Sequence, residues 1–176
     1  LALQSVTIDV SRNSLTEEDV RDALAEGAEW EAKYEELRCE LDACPEKKDE
    51  PRWYVGITKT CKRARWFNGV KARFELQKKN PKIPVELTLL RVGDVAIATN
   101  PFEFYVDFGM QIKARSPAVQ TFVVQLAGTG TYVPTERAVA GRSYGAVPAS
   151  NPVDPEGAQQ VVAKSLEVLN RLWSAT

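Results

Sequence analysis

The apolar and polar positions of this chain repeat with two different periods, and the period changes along the sequence. Residues 6–10 (VTIDV) alternate between apolar and polar, which predicts a half-buried strand. Thr16 offers a capping hydroxyl before three acidic residues, and apolar residues then recur at helical spacing, so a first helix is predicted to about Ala43. A second helix is predicted from about Trp53 to Lys79, and together the two form a helical hairpin.

Beyond the second helix, short apolar runs alternate with turn residues, which is typical of strands joined by tight turns and short helices. The first predicted elements are a β-hairpin over 85–99, a helix that Asn100 and Pro101 open and that continues to about Arg115, and a buried strand over 120–127. A glycine- and proline-rich loop follows over 128–153, with a helical turn near Glu136. The last helix begins at 154–156.

Together these elements predict an α/β chain of mixed α+β class. It has a sheet of about four to five strands, with the charged helical hairpin and further helices packed on it. The length of 176 residues fits a single domain or the C-terminal portion of a larger catalytic domain, with the first strand and the hairpin in 1–82 and a strand/helix segment in 83–176. No apolar run approaches the length of a membrane span. The first residues lack an initiator Met and a basic region, so we expect a chain entered partway along a longer protein.

Charge is strongly segregated although the net charge is only −1. Residues 1–50 carry 15 acidic and 6 basic side chains, whereas residues 51–82 carry 1 acidic and 10 basic side chains. Mutual compensation between the two helices is the favoured interpretation. The alternative is a nucleic-acid binder that uses the basic helix, with aromatic residues such as Trp66 and Phe67 stacking on bases.

Cysteine and histidine usage limits the chemistry of the chain. Cys39, Cys44 and Cys61 form no CxxC pair, so a cysteine zinc site is not predicted. Cys39 and Cys44 can pair if the chain is exported, and otherwise all three are unpaired thiols. The chain contains no histidine, so it can build neither a histidine-dependent catalytic triad nor a complete histidine zinc site by itself.

Two polar side chains follow the C-terminal ends of apolar strands, where ligands of α/β proteins usually bind. Glu103 follows the strand VAIAT, and its carboxylate can bind a cation or act as a base. The structural alternative is a capping box in which Glu103 bonds back to the amide of Asn100. Tyr132 follows a Gly-Thr-Gly loop and either contributes to a site or packs under its own loop. Tyr144 is a weaker candidate when considered alone.

Three short segments carry a resemblance to a known family: Asn-Pro-Phe-Glu at 100–103, Tyr-Val-Pro-Thr at 132–135 and Ser-Tyr-Gly at 143–145. Over about residues 84–173 the chain resembles the latter part of the catalytic domain of the neutral/alkaline, non-lysosomal ceramidase superfamily, as a divergent bacterial-type member. The family has Gly where this chain has Phe102, and Glu where it has Gly145. Its histidine ligands lie earlier in the chain.

The resemblance implies a zinc-dependent amide hydrolase. It implies that Glu103 and Tyr132 bind the zinc ion, and that Tyr144 stabilises the oxyanion formed from the attacked amide. It further implies that an N-terminal portion of the same protein supplies the histidine ligands, and that this chain is inactive alone. The implied substrate is a lipid amide of the sphingolipid type. The implied location is secreted or periplasmic. The alternative is a non-catalytic interaction domain that retains the fold.

Overall fold

The computed structural model describes residues 1–174 and has a mixed α+β fold, as predicted. The strands are β1 (Ala2–Ser11), β2 (Lys82–Val92), β3 (Val95–Thr99), β4 (Glu103–Phe104), β5 (Gln120–Val124) and β6 (Tyr132–Val133). The α-helices are α1 (Glu17–Ala43), α2 (Tyr54–Lys79), α3 (Val106–Arg115), α4 (Glu136–Ala140) and α5 (Pro155–Ser174), with 3-10 turns at Pro45–Asp49 and Tyr144–Ala146.

The chain divides into two compact units. One unit consists of residues 1–14 and the chain from Lys79 onward, and the other is the helical hairpin, Leu15–Lys78. The strand β1 therefore belongs to the same unit as the strands that follow the hairpin, and the hairpin is an insertion between two neighbouring strands of one sheet.

The main sheet has four strands in the order β1-β2-β3-β5. The pairs β1–β2 and β2–β3 are antiparallel, and Gly93 adopts a positive φ of 58° in the turn between β2 and β3. The strands β3 and β5 are parallel, and α3 lies between them in sequence. A second sheet contains only β4 and β6.

The core lies between one face of the main sheet and the helices α3 and α5. The helix α5 contacts β1 and β2, whereas α3 contacts β5. The side chains that fill this layer are apolar and fully or almost fully buried: Val85, Leu87, Leu89, Ala96, Ala98, Phe108, Ile112, Val161, Val162 and Leu169. One-sided coverage of the sheet is consistent with the alternation of buried and open positions along β1 and β2.

The helical hairpin confirms the first two predicted helices. Thr16 caps α1: its hydroxyl accepts a hydrogen bond from the amide of Asp19, whose carboxylate accepts one from the amide of Thr16. The helices run antiparallel, since Gln77 bonds both the amide and the carbonyl of Leu15 near the open end. The side chain of Asn68 donates to Glu31 at 3.2 Å farther along.

Two surface features of the described residues bear on the sequence predictions. Within residues 1–174, no helix combines the length and the apolar character needed to cross a bilayer. Cys39, Cys44 and Cys61 are unpaired thiols, and Cys39 is exposed.

Candidate functional site

The site region begins where the parallel strands β3 and β5 end. The amide of Asn100 donates to the carbonyl of Val124 at 2.9 Å, and the amide of Ala127 donates to the carbonyl of Asn100 at 2.9 Å. These bonds extend the pairing beyond the sheet, so the two segments leave its edge side by side. The close approach of these segments is what allows Glu103 and Tyr132 to meet.

Glu103 and Tyr132 are direct neighbours in the second sheet. The parallel pair β4–β6 places Glu103 beside Tyr132 and Phe104 beside Val133. The amide of Glu103 donates to the carbonyl of Thr131 at 3.0 Å, which fixes this register. Neighbouring residues on adjacent strands project to the same face, so the carboxylate and the phenol occupy a common space.

The carboxylate of Glu103 and the phenol of Tyr132 interact directly. The hydrogen bond from the Tyr132 hydroxyl to the Glu103 carboxylate raises the pKa of Tyr132, and desolvation of the phenol adds to the increase. The anionic carboxylate stabilises the protonated phenol, because it accepts the proton in a hydrogen bond and repels the phenolate. At neutral pH, Tyr132 is therefore a neutral donor toward Glu103.

The capping-box alternative for Glu103 is wrong. The amide of Asn100 donates to Val124 and not to Glu103, and the Asn100 side chain accepts a hydrogen bond from the amide of Phe102 at 3.0 Å. No helix begins at Asn100, because α3 starts only at Val106 and Glu103 lies in β4. The Asn100 side chain thus closes a tight turn of a type that competes with helix formation.

The ring of Tyr144 packs edge-on against the ring of Tyr132, with 5.7 Å between the centroids and an interplanar angle of 79°. Tyr144 itself is 60% exposed, so one side of the ring faces the outside. The adjacent Gly145 is buried, and a methyl group at this position would lie only 2.9 Å from the Tyr132 ring and from the hydroxyl of Tyr105. The absence of a side chain at Gly145 therefore permits this approach.

The structure adds two residues that the sequence analysis did not identify, Tyr105 and Ser143. Their hydroxyl oxygens are 2.7 Å apart, and this hydrogen bond ties the segment before Tyr144 to the end of β4. Tyr105 comes two residues after Glu103, so an extended conformation over 103–105 would have placed both side chains on one face. The helix predicted from Asn100 would place Glu103 and Tyr105 on different faces, so the prediction did not bring them together.

The resulting cluster contains one carboxylate and three phenols, all of which offer oxygen atoms. Oxygen ligands of this kind are suitable for a divalent cation, although zinc sites usually also contain imidazole or thiolate. Within residues 1–174, no group of three or more His, Cys, Asp or Glu residues is arranged to hold a metal ion. Glu103 and Tyr132 place one carboxylate and one phenol side by side, which are fewer protein ligands than a zinc site usually has.

No protein-family model, curated protein sequence or solved structure matches this chain.

Proposed function

We propose that this chain is the C-terminal part of a ceramidase-like, zinc-dependent amide hydrolase that acts on a lipid amide. The observation that carries the proposal is the direct β4–β6 pairing of Glu103 with Tyr132. A carboxylate and a phenol, supplied by segments that leave the same edge of a sheet, form half of a metal site. The histidine ligands come from an N-terminal portion of the same protein.

The pairing of β4 with β6 keeps the two oxygen ligands together. Because the Glu103 carboxylate raises the pKa of Tyr132, metal binding would have to displace the proton of the phenol. Metal affinity should therefore increase with pH. Zinc bound there would polarise the amide carbonyl and lower the pKa of a bound water molecule.

Tyr144 has the chemistry and the surroundings expected of an oxyanion donor. A phenol donates one hydrogen bond, and its ring is held against Tyr132, next to the proposed metal ligands. The bond between Tyr105 and Ser143 and the close packing of Gly145 restrict the segment that carries Tyr144. Such restriction matters, since a donor that is already oriented stabilises developing negative charge without reorganisation.

The test compares variants of the complete protein for zinc content and for hydrolysis of a fluorogenic fatty-acyl amide. Glu103→Gln and Tyr132→Phe should each lose most of the bound zinc and the activity, because the first removes a carboxylate ligand and the second removes the phenol oxygen. Tyr144→Phe should retain zinc but lose about 10²–10³-fold in kcat, the usual cost of removing one oxyanion donor. Tyr54→Phe, on the hairpin and 54% exposed, is the matched control and should behave as wild type.

Isothermal titration of the 176-residue chain alone adds an independent check. Two oxygen ligands without imidazole should give no zinc site tighter than roughly micromolar. A stoichiometric nanomolar site in this chain, or a complete protein whose zinc content survives both Glu103→Gln and Tyr132→Phe, contradicts the proposal.

A further inference from the structure

The strand β1 forms one edge of the main sheet, and most of that edge has no partner. In an antiparallel pair, the backbone groups of alternate residues face the neighbouring strand, and those of the residues between them face away. The amide of Arg12 continues the ladder to β2 by donating to the carbonyl of Pro81 at 3.2 Å, so the even-numbered residues of β1 face β2. The odd-numbered residues point their amides and carbonyls outward, and within residues 1–174 four of them bond nothing there. These four residues are Leu3, Ser5, Thr7 and Asp9.

The far end of the same edge is closed by the chain itself. The amide of Ser11 donates to the side chain of Gln160 at 2.9 Å, and that side chain donates to the Ser11 hydroxyl at 3.0 Å. The amide of Asn13 donates to the carbonyl of Pro152 at 2.9 Å. Closure therefore stops at Ser11, and the edge over residues 3–9, here called the open stretch, is left without a neighbouring strand.

The open stretch has few of the features that usually protect an edge strand from further pairing. Protected edges are commonly very short, or carry proline, lysine or a bulge. The strand β1 has ten residues, contains neither proline nor lysine, and pairs with β2 without a break in register, and its one charged side chain is Asp9. At the opposite edge, β5 has only five residues, and it is half buried rather than buried as predicted over 120–127, since Thr121 faces the core and Phe122 faces outward. Of the two edges, β1 is the one that suits a further strand.

The open stretch is complementary to a second copy of itself. Antiparallel pairing centred on Val6 places Ser5 opposite Thr7 of the second copy, and Leu3 opposite Asp9. Every outward-facing residue of one copy then meets an outward-facing residue of the other, and no two like charges meet. Each copy donates four amides to the other, which gives eight hydrogen bonds, and a typical stable interface has about ten.

The side chains on the core side of β1 suit the same symmetry. Val6 and Ile8 pack against the core but are only partly buried, whereas Val10, beside the closed end, is fully buried. In the centred register, Val6 of one copy lies directly opposite Val6 of the other. Pairing would thus complete the burial of an apolar side chain that the single chain leaves partly open.

The helix α5 brings complementary charges to the same axis. It runs antiparallel to β1, because Gln160 bonds the end of β1 and Leu172 accepts a hydrogen bond from Arg91, which pairs with its start. Lys164 lies one turn after Gln160 on the same side of the helix, and its amine is 2.9 Å from the Glu167 carboxylate. Both side chains lie level with the middle of the open stretch, so a two-fold axis there brings Lys164 of each copy toward Glu167 of the other. Such pairs orient the copies more than they hold them together.

We propose that a second copy of this chain binds along the open edge of β1, antiparallel and centred on Val6, and extends the four-stranded sheet to eight strands. The inference does not depend on the proposed function. A two-fold pair uses the same edge on both copies, so assembly stops at a dimer. Pairing of β1 with β5 of another copy would instead leave a free edge at each end and continue to grow.

Sedimentation equilibrium of the 176-residue chain, from about 2 to 200 µM at about 50 mM salt, tests the pairing. The wild type should form a dimer and nothing larger. Ser5→Lys with Thr7→Lys places lysine opposite lysine twice in the dimer, whereas the matched control, Ser5→Glu with Thr7→Lys, places glutamate opposite lysine. The first variant should have a dimer Kd at least about tenfold higher than that of the control. Both positions are exposed in the single chain, so circular dichroism at about 1 µM should show the same fold for both.

A disulfide on the axis tests the register. Val6→Cys, in a chain whose three native cysteines are replaced by serine, should link two copies under mild oxidation, because opposite residues of a non-hydrogen-bonded pair have Cα atoms about 4.5 Å apart. Ile8→Cys in the same background is the control. In the centred register, Ile8 lies four residues along the strand from Ile8 of the other copy, about 13 Å away, and should not link.

Three results would overturn the inference. The first is a chain that stays monomeric at about 200 µM, or one whose association is the same in both charge variants. The second is a disulfide that forms through Ile8→Cys and not through Val6→Cys. The third is growth beyond a dimer, which would assign the edge of β1 to pairing with β5 of another copy.

Discussion

An alanine at position 130 tests the close approach that brings Tyr132 beside Glu103. A methyl group on Gly130 would lie 2.0 Å from the carbonyl oxygen of Pro101, 2.5 Å from its carbonyl carbon and 2.8 Å from Cδ1 of Phe102. The two shortest contacts are with backbone atoms, so rotation of a side chain cannot relieve them. The loop before β6 has to move away from the segment before β4.

The loss of folding stability caused by that movement should lie at the upper end of the range known for overpacked sites. Inserted methyl groups in packed regions typically cost 1–3 kcal/mol, and a clash with backbone favours a value of about 3 kcal/mol. For a chain of this size, such a loss should lower the Tm by about 6–12 °C. The displacement should also weaken the bond from the Glu103 amide to the Thr131 carbonyl and separate the carboxylate from the Tyr132 phenol.

Urea unfolding of the 176-residue chain at pH 7, followed by circular dichroism, measures the loss of stability. Ultraviolet titration, with Tyr132→Phe as the subtraction reference, should show the pKa of Tyr132 returning toward its ordinary value in Gly130→Ala. The matched control is Gly109→Ala on α3, where no heavy atom lies within 4 Å of the added methyl group. The control should gain about 0.5–1 kcal/mol, because alanine is the better helix former. If Gly130→Ala is as stable as wild type with an unchanged Tyr132 pKa, the close approach does not exist as described.

Two further predictions concern other parts of the chain. Burial raises the pKa of Asp154, although its carboxylate caps the amide of Gly157, so ionisation costs stability as the pH rises above the ordinary value of 3.8. Asp154→Asn keeps the hydrogen-bond acceptor and should be at least as stable as wild type at pH 7, and any gain in stability should disappear at pH 3. Urea midpoints at both pH values measure the difference. A wild type that is more stable than the variant at pH 7 would show that burial of the Asp154 carboxylate costs no stability. If the acidic and basic helices compensate each other, the chain should not shift duplex DNA or RNA in a gel at micromolar protein and physiological salt. A shift abolished by Lys62→Glu with Arg65→Glu would instead assign nucleic-acid binding to α2.

The elements that the sequence predicts correctly are those whose signals are local. The start of α1 depends on Thr16 and Asp19, which are three residues apart and bond each other's amides. The turn between β2 and β3 depends on Gly93, which tolerates a positive φ. The start of α5 at Pro155 agrees with the predicted Asp-Pro-Glu opening, and Asp154 caps it.

The error over residues 100–105 has a tertiary cause. Asn100 and Pro101 have the composition of a helix start, and local preference alone favours that conformation. The segment instead pairs with residues about thirty positions later, because β3 and β5 are parallel and bring both segments to one edge. Two-residue strands have almost no stability of their own, so this pairing depends on the main sheet to hold its partners side by side.

The sequence by itself determined the class of the fold, the helical hairpin and most of the main sheet. It also identified Glu103 and Tyr132 as polar residues beyond strand ends. The hydrophobic period and the capping residues are local signals, because each depends on residues only a few positions apart in the sequence. The tertiary structure alone decided that Glu103 and Tyr132 are neighbours, that Tyr105 and Ser143 join them, and that one face of the sheet is open. These features depend on contacts between distant segments, whose geometry is set by the strand order and register of the assembled sheet.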